Sequence, residues 1–249
     1  MAETQRLYGM KALVTSAAGG IGEAVARTLV KHGATVVAID GVNSGVDRLF
    51  SAVRGVEGYP ADMNDIGGIP ALVDTVAEKL GTIDIVVNEF SPNSRVPIAE
   101  DGPDLSRMLE SRKELVMAMC RAALPYLKKS PAGRIVNIGY LRSAFAANSA
   151  DAAHRAEREL ADITRTLAAE SGKFGITANY VQPGGIMTGV SREVFRKNKD
   201  LRDFCIRRSA AGRLGEPIDV AKVVLFLASD DAVFVSGTGI TVDGGRIDG

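Results

Sequence analysis

The sequence predicts a single α/β domain, residues 1–249, built on a doubly wound parallel sheet with helices on both faces. Three observations carry that expectation. Apolar, β-rich runs alternate with amphipathic helical patterns from end to end. The strand-like runs are nearly continuous in apolar residues, as in strands covered on both faces. The first of them leads into a glycine-rich turn that opens a helix. A chain of 249 residues suits one large core better than two.

The elements follow in order. Ala12–Thr15 reads as the first strand, Gly20–Lys31 as the helix after it, Thr35–Ile39 as the second strand and Val56–Tyr59 as a short third. Ile69–Leu80 is helical by the spacing of Leu72, Val73, Val76 and Leu80. Ile83–Val87 is the fourth strand, Leu105–Leu127 a long helix and Arg134–Ile138 the fifth strand. A second long helix, Ala150–Ser171, precedes the sixth strand, Thr177–Val181. Val220–Leu227 is helical and Ile240–Val242 the last strand. Phe90–Asp104 is a loop by its Pro, Ser and Asp content, and Gly184–Asp203 a mobile flap containing one short helix. There is no repeat, low-complexity tract or linker.

Composition excludes several classes. Thirty basic residues balance thirty acidic ones, which leaves no electrostatic case for nucleic acid or an anionic membrane. Cys120 and Cys205 stand in unrelated surroundings, with no paired-cysteine or Cys/His spacing for a metal or a disulfide framework. The opening MAETQRLYGM is polar and unlike a signal peptide, and apolar runs fall short of the ~20 residues that span a bilayer. The expected compartment is the cytoplasm.

The turn reads Thr15-Ser16-Ala17-Ala18-Gly19-Gly20-Ile21-Gly22. Glycines let the backbone bend sharply and let a pyrophosphate approach a helix N-terminus, where free N–H groups and the dipole favour negative charge. Asp40 ends the second strand, placed to accept hydrogen bonds from a ribose diol and to repel a 2′-phosphate, so the implied cofactor is NAD rather than NADP. The plain alternative is a tight strand–helix turn that holds no ligand. His32 is expected to end the first helix as a capping residue.

At this point the chain resembles the short-chain dehydrogenase/reductase family, over essentially its whole length and with a Rossmann-type fold. Thr15 with Gly20-Ile21-Gly22 resembles the family's glycine turn. Asp62-Met63 resembles the pair that contacts adenine, and Asn88 the first Asn of an N-N-A-G segment. Pro183-Gly184 with Ile186 and Thr188 resembles the segment that holds the nicotinamide amide. Gly133–Ile138, Leu214-Gly215-Glu216-Pro217, Phe226-Leu227-Ala228-Ser229, Gly237 and Asp243-Gly244-Gly245 complete the likeness.

The resemblance implies hydride transfer by a Tyr acid/base, a Lys four residues later that lowers its pKa, a Ser that fixes the substrate oxygen and an Asn that supports a water relay. A gapless alignment of the two long helices puts Ala153 at the Tyr position, Glu157 at the Lys position, Tyr140 at the Ser position and Arg112 at the Asn position. All four differ from the residues the resemblance implies: Ala153 cannot carry a proton, and Glu157 reverses the charge that should lower a Tyr pKa. Ser16 replaces a turn glycine, and Asn88-Glu89-Phe90-Ser91 replaces N-N-A-G, setting a ring and a carboxylate beside the dinucleotide path. NAD(H) binding is expected to be weak or lost, and no metal is expected.

The expected function is therefore a non-catalytic subunit of a heteromeric NAD-dependent alcohol or hydroxyacyl-CoA dehydrogenase. It would form a tetramer with a homologous, catalytically complete subunit, since the family contains such pairings of an intact and a degenerate chain. Mixed charge on Arg155, Glu157, Arg158, Glu159, Asp162 and Arg165 could encode choice of partner. Two alternatives stand beside it. One is altered chemistry, oxidoreductase or dehalogenase-like, from Tyr140 as a relocated acid with a pKa lowered by Arg112, or from His154 and Arg158 after a one-residue slip. The other is a nucleotide-sensing homo-oligomer.

Overall fold

The computed structural model describes residues 5–90, 96–99 and 101–247. Part of the expected loop over Phe90–Asp104, with Ser91, lies outside the described residues. Seven parallel strands form one sheet in the order β3-β2-β1-β4-β5-β6-β7. They are β1 (Lys11–Val14), β2 (Thr35–Asp40), β3 (Val56–Pro60), β4 (Ile85–Glu89), β5 (Arg134–Ile138), β6 (Thr177–Pro183) and β7 (Gly239–Val242). The order reverses between β1 and β4, the switch point where such sheets place a ligand crevice beyond the strand C-termini.

Helices cover both faces. On one lie α1 (Gly20–Lys31), α2 (Val46–Phe50) and α8 (Pro217–Ala228), packed with Val25, Leu29, Phe50 and Val224 in a dry core. On the other lie α3 (Ile69–Leu80), α4 (Pro103–Leu127) and α5 (Ala150–Ser171), with Val73, Met119, Ile163 and Leu167. Leu160, Ile163 and Leu167 are all buried, so α5 keeps the apolar register on which the gapless alignment rests.

Several boundaries differ from expectation, each for a local reason. β1 stops at Val14 because Thr15 turns its hydroxyl onto the backbone of Glu89. β4 starts at Ile85 and runs to Glu89, since the Asp84 carboxylate accepts the Lys11 N–H at 2.8 Å and so closes the strand's lower end. The single flap helix is two, α6 (Gly189–Lys197) and α7 (Lys199–Arg207). Thr188 and Ser191 form a capping box for α6, and the Asn198 side chain accepts from Leu201 N–H to start α7. The short α2 had no expectation; it lies against β3 so closely that a Cβ on Gly58 would sit 2.1 Å from the Val46 carbonyl oxygen. His32 is the C-cap of α1, where its backbone N–H meets the carbonyls of Thr28 and Leu29.

Candidate functional site

The glycine turn is shaped by what it touches. A Cβ on Gly22 would stand 2.3 Å from the Ser16 carbonyl oxygen, so only glycine lets the first turn of α1 close on the strand end. Ser16 holds a left-handed backbone, φ +52°, which costs an L-residue energy. Its hydroxyl donates to the Glu89 carbonyl and offsets part of that cost. Asp40 accepts from Ala18 N–H and Gly41 N–H, both at 2.7 Å, one on each oxygen. Each oxygen keeps a lone pair for a further donor.

Above the switch point lies a cleft of about 1090 Å³. Gly19, Gly20, Asp40, Asp62 and Met63 line it, so the residues expected around the adenosine half of a dinucleotide meet there, and Thr188, expected at the nicotinamide amide, lines it too. The other residues expected there are elsewhere. Ile21 is buried in the core and Gly22 packs on Ser16. Asn88 is buried beneath the cleft, donating to Asn137 Oδ1 at 2.9 Å and to Cys120 Sγ at 3.3 Å. Burial pushes that thiol up to about 12, which leaves it inert. Pro183 and Gly184 face a second, smaller cavity of about 320 Å³.

Tyr140 separates the two spaces. It lines both, and its side chain is 3% exposed. Arg112 opens only onto the large cleft; Ala153 and Glu157 line only the small cavity. The four positions that would surround one reacting carbon are thus divided by a ring. Arg112 Cζ lies 3.9 Å from the Tyr140 centroid, and Phe145 packs on the same ring at 6.3 Å. The Gln182 amide donates to the Tyr140 carbonyl at 2.9 Å, fixing the backbone beneath it.

The electrostatics correct one expectation. Burial raises the Tyr140 phenol above its ordinary value; the Arg112 charge pulls the other way and Glu159 adds to the rise. The net shift is upward, so Tyr140 is a protonated wall residue rather than an acid with a lowered pKa. The His154–Arg158 pair is not assembled either. His154 lines the small cavity, where Arg246 donates to its Nε2 at 2.9 Å, while Arg158 is exposed and lines neither space. On α5 the expected charges pair locally: Arg155 with Asp101 and Glu159, Arg165 with Asp162.

The nicotinamide half would meet other side chains than the resemblance implies. Tyr140 and Phe90 bring bulk to its path, and the position of the ribose-gripping cation holds Glu157 on the far side of a ring. Sequence reasoning also missed Arg142, Gln182, Phe204, Arg208 and Arg246 around the small cavity. They come from four distant segments, and no local pattern announces their meeting. Among the described residues no group of three His, Cys, Asp or Glu side chains could hold a metal ion, and no helix is long and apolar enough to cross a membrane.

Comparison with known proteins agrees with this architecture. Residues 16–246 match the family model described as Enoyl-(Acyl carrier protein) reductase. The chain is 33% identical over 246 residues to a 3-oxoacyl-(acyl-carrier-protein) reductase of Pseudomonas aeruginosa, covering 96% of this chain and 98% of that one. It is 29% identical over 250 residues to the L-fucose dehydrogenase of Rattus norvegicus, covering 98% and 92%. A hydroxysteroid dehydrogenase from Escherichia coli superposes with a TM-score of 0.82 at 26% identity, covering 98% of this chain and 99% of its own. With its sheet order, its glycine turn and these matches over nearly its full length, the chain belongs to the short-chain dehydrogenase/reductase family.

Proposed function

We propose that this chain is a non-catalytic subunit that assembles, in the cytoplasm, with a homologous and catalytically complete short-chain dehydrogenase. The observation that carries the reading is the partition by Tyr140: no proton donor stands at Ala153, and the residues at the four hydride-transfer positions are shared between two cavities. The retained sheet, glycine turn and C-terminal strand support a role in which the scaffold is used and the reaction is not. The proposed assembly is a heterotetramer that oxidises an alcohol or hydroxyacyl-CoA with NAD, of the kind of 2-(hydroxy(phenyl)methyl)succinyl-CoA dehydrogenase. In it this chain would bind NAD(H) weakly or not at all, supporting assembly or shaping its neighbour's pocket.

Native mass spectrometry of the protein purified from its own source tests this. The expected spectrum contains a second, different subunit of similar mass in equal number. A homo-oligomer alone, or one that reduces NAD with alcohols, would overturn the proposal.

A further inference from the structure

The flap is unlike the rest of the surface. From residue 192 to 207 it holds six basic side chains and three acidic ones, in a chain whose charges balance overall. Elsewhere helix cations are answered locally, as Arg27 is by Glu23, Lys113 by Glu110 and Arg165 by Asp162. Within this stretch Arg202 is answered by Asp203. Arg192, Arg196, Lys197, Lys199 and Arg207 are exposed and form no ion pair among the described residues. Glu193 has a partner of its own, which leaves Asp200 as the unpaired acid beside them.

Helix electrostatics account for three of the five cations. Arg196, Lys197 and Arg207 stand in the last turns of α6 and α7, where the dipole favours positive charge. Lys199 is the first residue of α7, where the dipole opposes it, and Arg192 meets the like charge of Arg196 one turn on. Both are held against their surroundings. Val194, Phe195, Leu201 and Cys205 pack beneath the two helices, so burial fixes which side faces out. On α6 that side carries Arg192, Arg196 and Lys197, and Lys199 follows across the bend at Asn198.

The occupant these groups suit is compact and multiply anionic. A protein face would need an apolar centre within about 800 Å², and among the described residues Val190 is the one large apolar side chain exposed on α6 and α7. A long polyanion would run onto a surface with an excess of acids, since the chain is neutral and the flap is basic. Guanidinium forks and ammonium groups side by side match the oxygens of phosphates. We propose that Arg192, Arg196, Lys197 and Lys199 form a binding surface, on the outer face of the flap, for a small anion carrying clustered phosphates. None of the four lines either cavity, so the surface is separate from both. It does not depend on a catalytic partner, and a homo-oligomer in the mass spectrum leaves it standing.

Calorimetry of the full chain with inorganic tripolyphosphate, against sulfate at equal ionic strength, tests it. Saturable binding below about 1 mM is expected, weakening about tenfold or more between 0.05 and 0.5 M NaCl. Arg196→Ala with Lys197→Ala and Lys199→Ala should weaken it about tenfold or more and leave Tm unchanged, since all three side chains are exposed. Lys128→Ala with Lys129→Ala and Lys173→Ala removes three exposed cations from another face and should leave the affinity within about twofold. Adenosine 3′,5′-bisphosphate distinguishes the source of the phosphates: tighter binding than tripolyphosphate assigns the surface to a nucleotide, weaker binding to an inorganic polyphosphate. No excess of tripolyphosphate over sulfate, an undiminished affinity in the flap variant, or an equal loss in the two variants would each overturn the surface.

Discussion

Tyr140 shows how one side chain can divide the space above a sheet without disturbing the fold. A serine at this position would be small and polar and would leave the space between the cleft and α5 open. A tyrosine fills that space with a ring, stacked by Arg112 and backed by Phe145. The phenol is held protonated by burial, with the guanidinium charge too weak to reverse the shift. Because its pKa is higher folded than unfolded, the unfolded chain loses this proton first as pH rises past about 10, the ordinary tyrosine value. The contribution is therefore complete below pH 10 and is lost on the alkaline side. Denaturant midpoints measured from pH 8 to 11 should fall less steeply for Tyr140→Phe than for the parent. Some slope will remain, since Tyr126 and Tyr180 are also shifted upward. Parallel curves would mean that Tyr140 is solvated.

At the scale of elements, α5 carries the informative contrast. Its core-facing spacing was legible: Leu160, Ile163 and Leu167 are buried, and the ends expected at Ala150 and Ser171 are the ends observed. The same holds for α3 and β5, where apolar period and length leave one solution. The flap is legible in principle, because Thr188 and Asn198 are ordinary N-cap residues, but the sequence alone does not separate two helices whose caps stand ten residues apart. What Ala153 and Glu157 face was not legible. They share a side of α5 four residues apart, and only the tertiary position of Tyr140 decides that this side looks into the small cavity. Restoring the family pair as Ala153→Tyr with Glu157→Lys should therefore produce no NAD reduction with simple alcohols, because the new groups enter the wrong space. Turnover clearly above the parent would show that the two cavities communicate and that the partition does not govern activity.

At the scale of the whole molecule, the scaffold and the charge of the cleft are legible to different degrees. The scaffold follows from local rules that a single sequence displays: strand runs, a glycine turn, helix spacing. Cleft charge does not, because Asp40, Asp62, Glu89 and Glu193 sit on separate segments and the chain as a whole is neutral. Four of the described lining residues are acidic and one is basic; Glu89 and Glu193 have further partners of their own, and Asp40 and Asp62 stand where a dinucleotide's adenosine would lie. A pyrophosphate brought near the cleft meets repulsion that α1's N-terminus, worth about half a charge, offsets only in part. Added salt screens that repulsion, since the Debye length shrinks from roughly 10 Å at 0.1 M to about 3 Å at 1 M. Most anion sites lose affinity as salt rises; this cleft should do the opposite. NADH titrated by fluorescence into the isolated chain should show no saturation below about 1 mM at low salt, equivalent to roughly −4 kcal/mol. Any binding detected should strengthen between 0.05 and 0.5 M NaCl. Micromolar binding that weakens with salt would mean that the carboxylates are neutralised or turned away, and that the cleft still receives the cofactor its fold was built around.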